Sequence, residues 1–100
     1  MFVEERCYVL HPTWSVNDYL AVFRRDGLEI QREALGGLLG YFTTEVGELN
    51  AIVSLWQYES FEDRQRRRAA LAANPAWQNY LTQVRPMIQS MSNRLMLRAV

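Results

Sequence analysis

The sequence has little of what marks several large functional classes. It contains a single cysteine among 100 residues, which excludes an intrachain disulfide and a zinc site built from cysteines. Its longest mainly apolar runs, residues 35–42 and 49–56, are far shorter than the roughly 20 residues of a membrane-spanning helix. Near the N-terminus, Glu4 and Glu5 stand where a secretion signal has basic and apolar residues. We therefore expect no membrane partner and a cytoplasmic location.

Neither sign of charge is in excess. The chain has 11 basic and 11 acidic residues, so its long-range attraction to polyanions is weak. The run of Arg64, Arg66, Arg67 and Arg68 does not form one stripe, because on a helix residues 64 and 68 share a face while residue 66 points elsewhere. We predict that the protein binds no nucleic acid. Arg64 or Arg68 could instead reach an anionic ligand at the rim of a cavity.

Motifs for phosphate binding, metal binding and nucleophilic catalysis are missing as well. The glycines within residues 36–40 follow a predicted helix and precede a predicted strand, the reverse of the order in a phosphate-binding loop. His11 is the only histidine and stands at a strand end, where we interpret it as exposed and without a functional role. Cys7 has apolar neighbours that keep a thiol protonated, so we interpret it as a core residue. We expect no metal and no cofactor.

The first third of the sequence predicts a strand followed by a helix. Residues 2–10 contain β-branched and aromatic side chains that favour a strand. Ser15 is a predicted N-cap, and apolar residues then recur at spacings of three and four as far as Ala34, with a weak point at Gly27. The glycine pair at residues 36–37 ends this helix.

The rest of the sequence predicts a hairpin, a pair of helices and a last strand. The predicted strands are residues 38–45, 49–58 and 94–100. One helix starts at Ser60, and a second starts at Asn74-Pro75, where proline suits the first helical position. Pro86 should break this second helix because proline lacks the amide hydrogen and clashes with the preceding turn.

This order of elements is typical of an α+β domain of the ferredoxin-like β-α-β-β-α-β type. We predict a single domain over residues 1–100, with a four-stranded antiparallel sheet whose helices all lie on one face. The other face carries too many apolar and aromatic side chains to be exposed to water. We therefore predict that a second copy of the chain covers it in a homodimer.

Two rows of side chains predict a ligand-binding cavity. Side chains along a strand alternate between its faces, so Glu4, Arg6 and Tyr8 share one face. The full set of candidate ligand-binding residues is Glu4, Arg6, Tyr8, Asn50, Ser54, Trp56 and Tyr58. We expect both rows to lie on the helix-free face and to enclose a small molecule. The alternative is that Glu4 and Arg6 only form a structural pair, because an isolated buried charge costs several kcal/mol.

Several segments resemble those of the NIPSNAP family. They are Glu4-x-Arg6-x-Tyr8, the stretch GLLGYFTTEVG at residues 37–47, LWQY at residues 55–58 and NPAW at residues 74–77. The resemblance covers nearly the whole chain and implies a ferredoxin-like domain that pairs into a dimeric α+β barrel. Many members of the family carry a histidine at the position of Ser54. A hydroxyl does not titrate near neutral pH as imidazole does, which weakens the case for acid–base catalysis.

The sequence leaves three functions open. We predict a NIPSNAP-like homodimeric protein that binds a small molecule, and we assign no catalytic residue. The alternatives are a non-enzymatic dimeric interaction module and a cofactor-independent monooxygenase-like enzyme, whose substrate would itself activate oxygen. Whether the protein is an enzyme is not decided at this point.

Overall fold

The structure, a computed structural model, describes residues Met1–Val100 and consists of one sheet and one layer of helices. The strands are β1 (Phe2–Leu10), β2 (Leu38–Thr43), β3 (Ala51–Tyr58) and β4 (Ile88–Leu97). The helices are α1 (Val16–Asp26), α2 (Leu28–Leu35), α3 (Phe61–Ala72) and α4 (Pro75–Val84), with a 3₁₀ turn at Arg85–Met87. The strands form an antiparallel sheet in the order β2-β3-β1-β4, which confirms the predicted ferredoxin-like fold. No helix is long and apolar enough to span a bilayer.

The first helical region is two helices rather than one. Ser15 caps α1 as predicted, since its hydroxyl accepts from the backbone N–H of Asp18 and the Asp18 carboxylate accepts from the backbone N–H of Ser15. The predicted weak point at Gly27 is a break between α1 and α2. A Cβ atom at Gly27 would lie only 2.8 Å from the ring of Tyr80. The glycine therefore permits α4 to approach the junction closely.

The predicted hairpin is present, but its strands are shorter. β2 ends at Thr43 instead of residue 45, and β3 starts at Ala51 instead of residue 49. The predicted short turn at residues 46–48 is thus a connection of seven residues, 44–50, that contains bends and no regular element. The two strands are antiparallel neighbours, as the sequence predicted.

The prediction for the last strand, residues 94–100, is wrong in its position. Pro86 lies in the 3₁₀ turn directly after α4, and the chain enters β4 already at Ile88. Strand β4 hydrogen-bonds to β1 on one side only, and most of its residues are exposed. An exposed edge strand does not need an apolar row, so residues 89–93, of which only Met91 is apolar, gave no strand signal.

The core fills the space between the sheet and the helices. Its most deeply buried members are Leu10, Leu35, Ile52, Trp56, Tyr80 and Val84. The opposite surface, which we call the helix-free face, carries the alternate side chains of the same strands. Its apolar members are Val3, Val9, Phe42, Val53, Leu55 and Met96, and none of them belongs to the buried core.

Candidate functional site

The row formed by Glu4, Arg6 and Tyr8 lies under the helices. Glu4 accepts hydrogen bonds from Arg64 of α3, and the ring of Tyr8 lies 6.3 Å from that of Tyr19 of α1. The predicted location on the helix-free face is therefore wrong. The alternation of side chains correctly predicted that these three residues share a face. The error was to assign the other, more apolar row of β1 to the helix side. The polar row lies there instead because α3 supplies a guanidinium group that neutralises Glu4.

Glu4 is the centre of a hydrogen-bonded group of side chains, the Glu4 network, formed by Glu4, Arg6, Arg64 and Asn93. Arg64 donates from Nε to Oε1 of Glu4 at 3.2 Å and from Nη2 to Oε2 at 2.8 Å. Oε2 also accepts from Nη1 of Arg6 at 3.0 Å and from Nδ2 of Asn93 at 2.7 Å. The side chain of Glu4 has 0% exposure, so the carboxylate is fully enclosed by its donors. The structural pairing of Glu4 with Arg6 is confirmed.

The network fixes the protonation state of Glu4. Burial alone would raise the pKa of this carboxyl group, but the hydrogen bonds from Arg64 and Asn93 and the charges of Arg6 and Arg64 outweigh it. Together they lower its pKa from 4.5 to about 2. Glu4 is therefore an ionised, fully occupied acceptor at neutral pH, which suits a structural role and not that of a general base.

Three other candidate residues, Ser54, Trp56 and Tyr58, alternate along β3 and are buried within the protein. Ser54 accepts a hydrogen bond from Nε1 of Trp56 at 3.0 Å, and both side chains are buried. The hydroxyl of Tyr58 is buried without a hydrogen-bond partner. Burial raises the pKa of Tyr58 and the nearby charge of Glu4 adds to the effect, whereas the adjacent guanidinium groups of Arg68 and Arg64 act in the opposite direction. These residues pack against the helices and do not line a ligand cavity on the helix-free face.

Asn50 lies outside β3 and ties the connections at one end of the sheet. Its φ angle of 60° is in the left-handed region, which asparagine tolerates better than most residues. Its side-chain nitrogen donates to three backbone carbonyl oxygens, those of Leu10, His11 and Trp14, at 3.0 to 3.3 Å. Its amide hydrogens are thus used to hold the loop between β1 and α1.

A cavity of about 150 Å³ lies between the sheet and the helices, beside the Glu4 network. Of the seven candidate ligand-binding residues, only Arg6 and Tyr8 line it. The rest of its polar lining is Tyr19, Gln31, Tyr41, Arg68, Tyr80 and Arg85. Its apolar lining is Trp77, Leu81, Val84, Ile88 and Met91. Three other hollows are larger, but they are more open to the surface.

The polar groups of this cavity have more hydrogen-bond donors than acceptors. Tyr80 donates to the hydroxyl of Tyr19 at 3.2 Å, so the hydrogen of Tyr19 has no acceptor. Tyr41 donates to Oε1 of Gln31, and the amide hydrogens of Gln31 have none. Tyr8 accepts from Nε of Arg6 at 3.2 Å, and its own hydroxyl hydrogen also has none. A ligand with acceptor atoms would satisfy these groups.

The tyrosine hydroxyls keep their hydrogens over the physiological pH range. Burial raises the pKa of Tyr19, Tyr41 and Tyr80 above the usual value for a phenol. For Tyr19, the hydroxyl of Tyr80 adds to this effect. All three are therefore neutral donors, and none is a base.

Most residues that line the cavity could not be identified directly from the sequence. Apolar spacing places Tyr19 on the inner face of the first helix and places Trp77 and Tyr80 on one face of the helix after Pro75, which predicts core positions for all three. The signal that could have identified them is the phenolic oxygen: a buried tyrosine needs a polar partner, so two of them on facing helices indicate a polar interior. Arg68 lines this cavity, which lies on the opposite side of the sheet from the predicted one, whereas Arg64 is held by Glu4.

His11 and Cys7 lie outside the cavity. His11 is exposed in the loop after β1. Cys7 is half-buried on the helix-free face, opposite Val53 and Ser92 of the neighbouring strands, and burial raises the pKa of its thiol. No group of three or more His, Cys, Asp or Glu side chains is placed to hold a metal ion.

Comparisons with known proteins agree on one family. The NIPSNAP family profile matches residues 3–100. The chain is 36% identical over 67 residues to Protein NipSnap homolog of Dictyostelium discoideum, a match that covers 67% of this chain and 30% of that protein. The chain therefore spans about a third of the length of such relatives.

Solved structures with the same fold are found at two levels of sequence identity. A NIPSNAP family protein with unknown function from Agrobacterium tumefaciens has a TM-score of 0.92 at 42% identity, over 96% of this chain and 86% of that one. A structure described as an antibiotic biosynthesis monooxygenase has a TM-score of 0.68 at 13% identity, over 100% of each chain. The second similarity is one of fold alone.

Proposed function

This chain is a member of the NIPSNAP family, and from that premise we propose that it is a homodimer that binds a small organic molecule in the cavity between the sheet and the helices. The observation that carries the binding proposal is the excess of donors in an enclosed space. Tyrosine hydroxyls, the Gln31 amide and two arginines without carboxylate partners converge on this cavity, and an occupant with acceptor atoms would satisfy their remaining donor hydrogens. A cavity with an apolar wall and a few convergent polar groups is the usual form of a small-molecule site.

Filling the cavity tests the binding proposal. Leu81→Trp places a large ring in the cavity, and Leu49→Trp makes the same exchange in an exposed connection, where Leu49 is 66% exposed. We expect a thermal-shift screen of small aromatic acids, phenols and quinones to find a compound that stabilises the original protein and Leu49→Trp. The same compound should not stabilise Leu81→Trp. An equal shift in all three proteins would place binding elsewhere.

The helix-free face supports the homodimer. It combines apolar side chains from all four strands, and exposed Phe42, with 53% of its surface accessible, lies at its β2 side. The molecule measures 37 by 34 Å along its two longer axes, so this face can provide the roughly 800 Å² per partner of a stable interface. Its charged pair, Glu5 with Arg94, is satisfied within the chain.

Sedimentation equilibrium tests the dimer directly. Val53→Asp introduces an unpaired carboxylate in the middle of the helix-free face, and we expect it to convert a dimer into a monomer. The matched control is Val46→Asp in the β2–β3 connection, where Val46 is 92% exposed. A monomer for the unaltered chain at micromolar concentration would end the dimer proposal.

The cavity favours binding over a reaction that begins with proton abstraction. It has no carboxylate and no imidazole in its lining, and the nearby Glu4 is fully occupied. The monooxygenase alternative is supported by similarity of fold alone, and fold does not determine activity. The interaction-module alternative differs by one result: a stable dimer in which Leu81→Trp and the unaltered protein respond equally to every compound.

A further inference from the structure

We propose that the ligand is a single-ring aromatic acid, with its carboxylate at Arg68 and Arg85 and a second acceptor group at the tyrosine end of the cavity. This inference rests on the proposed function, because it requires that the cavity is the binding site. Three independent properties of the cavity lead to it: its volume, its unpaired arginines and the position of its unused donors.

The volume limits the ligand to about one ring. A cavity of about 150 Å³ matches the size of engineered protein cavities that bind benzene. The walls are also aromatic: the rings of Trp77 and Tyr80 are 4.9 Å apart, and the ring of Tyr19 lies on the neighbouring helix α1. Offset and edge-to-face contacts with such rings favour a flat aromatic body over an aliphatic one.

The arginines indicate the charge. Seven of the 11 arginines in the chain form an ion pair with a carboxylate of the protein. Arg68 and Arg85 do not, and both line this cavity. Guanidinium groups bind carboxylates and phosphates through two parallel hydrogen bonds, and we infer the carboxylate because it is the smaller of the two in a space for about one ring.

The burial of the lining orients the ligand. Arg85 is exposed and Arg68 is partly exposed, so the arginines stand nearer the entrance. Tyr19 and Gln31 have only 3% exposure each and lie at the inner end. A hydroxyl or carbonyl oxygen on the opposite side of the ring from the carboxylate would accept hydrogen bonds from their free donor hydrogens.

Titration calorimetry with two probes tests the inference. 4-Hydroxybenzoate carries the required groups, whereas 4-hydroxybenzyl alcohol has the same ring and hydroxyl without the charge. We expect the acid to bind at least about tenfold more tightly than the alcohol. Arg68→Gln should weaken binding of the acid by about tenfold to a hundredfold and change that of the alcohol by less than about twofold.

The control and a second variant keep the test decisive. Arg98→Gln removes an arginine at the end of the chain and away from the cavity, where its Nε donates to the main-chain oxygen of Val100, and it should change neither affinity. Arg85 is exposed, so Arg85→Gln should fold normally even if Arg68→Gln does not, and it should reproduce the selective loss of the acid.

The outcomes separate this inference from the proposed function. If acid and alcohol bind equally well and neither arginine variant changes the ratio, the charged ligand is wrong while the cavity remains the site. If single-ring probes do not bind but a larger compound gives a shift that Leu81→Trp abolishes, the ligand class alone is overturned. If Leu81→Trp binds the acid as well as the original protein does, both proposals fail.

Discussion

The Glu4 network and the adjacent cavity occupy the same layer of the molecule and use the same residue types. They differ in whether their arginines have a carboxylate partner within the protein. In the network, Arg6 and Arg64 converge on one carboxylate that has no exposed surface. In the cavity, Arg68 and Arg85 have no carboxylate at all. The comparison teaches that a single acidic residue decides whether arginines beneath the helices serve the structure or remain available to a ligand.

Arg6 connects the two regions. Its Nη1 donates to Glu4, and its Nε donates to the hydroxyl of Tyr8, which lines the cavity. The network therefore holds one wall of the cavity in place. A variant at Arg6 would disturb both regions at once. The two regions are therefore tested separately by variants at Glu4 and at Arg68.

Removing the carboxylate should have the largest effect. Glu4→Gln leaves Arg6 and Arg64 buried without a counter-charge, and breaking a buried pair in this way costs about 3–5 kcal/mol. Guanidinium chloride unfolding measures the loss of free energy. Glu5→Gln, which breaks the exposed pair with Arg94, should cost less than about 1 kcal/mol. Equal losses for the two variants would mean that the network is not a stabilising element.

Acid should act on the network alone and leave the cavity groups unchanged. The pKa of Glu4 is lowered from 4.5 to about 2 on folding, so its contribution to stability is present above pH 4.5 and is lost as the pH falls towards 2. A shift of this size corresponds to about 3 kcal/mol. Unfolding free energies measured at several pH values should fall more steeply for the original protein than for Glu4→Gln. Parallel curves would contradict the assigned pKa.

On the cavity side, the close approach of Gly27 to Tyr80 should give an intermediate effect. In Gly27→Ala the new Cβ would lie 2.8 Å from a buried ring, and this overlap should outweigh the gain of about 0.4–1 kcal/mol from the lower entropy of the unfolded chain. We expect a net loss of about 1–2 kcal/mol in thermal or chemical unfolding. In the background of Tyr80→Leu, which makes room, the same substitution should no longer destabilise. A stabilising effect in the original background would show that α4 can move away.

The smallest effect on stability should come from the open region. Arg68 has no carboxylate partner, so Arg68→Gln should change the unfolding free energy by less than about 0.5 kcal/mol. The same variant should have the large effect on acid binding described above. A stability loss comparable to that of Glu4→Gln would show that the two regions are not different in kind.

Much of the fold could be predicted because its signals are local. The caps at Ser15 and Asn74, the break at Pro86 and the order of elements depend on neighbouring residues, and the structure contains each of them. The position of β4 could not be predicted, because an exposed edge strand does not need an apolar row of side chains. The seven-residue connection after β2 was also missed, since the hydrogen bonds that hold Asn50 come from residues far away in the sequence.

The candidate site was harder to predict than the fold, for a physical reason. Glu4, Arg6 and Tyr8 were correctly placed in one row, but which layer they faced depended on Arg64, whose charge lies 60 residues further along the chain. Burial of a carboxylate is unfavourable without a partner, and the partner is not evident from the sequence, so the row was predicted on the helix-free face and not beneath the helices. Arg6 and Tyr8 therefore line a cavity in the helix layer instead of one on the helix-free face. The tyrosines beside them are predicted only as core residues.

The arrangement of partners around Glu4 also has a consequence for how the chain folds. The carboxylate binds Asn93 of β4, a residue 89 positions away, and β1 has a neighbouring strand on both sides. Local segments cannot complete this centre, so the middle of the sheet closes only after β4 has been synthesised and has reached β1. Such long-range pairing is slow compared with helix formation, so we expect nascent chains that end before β4 to expose the flank of β1 to other proteins.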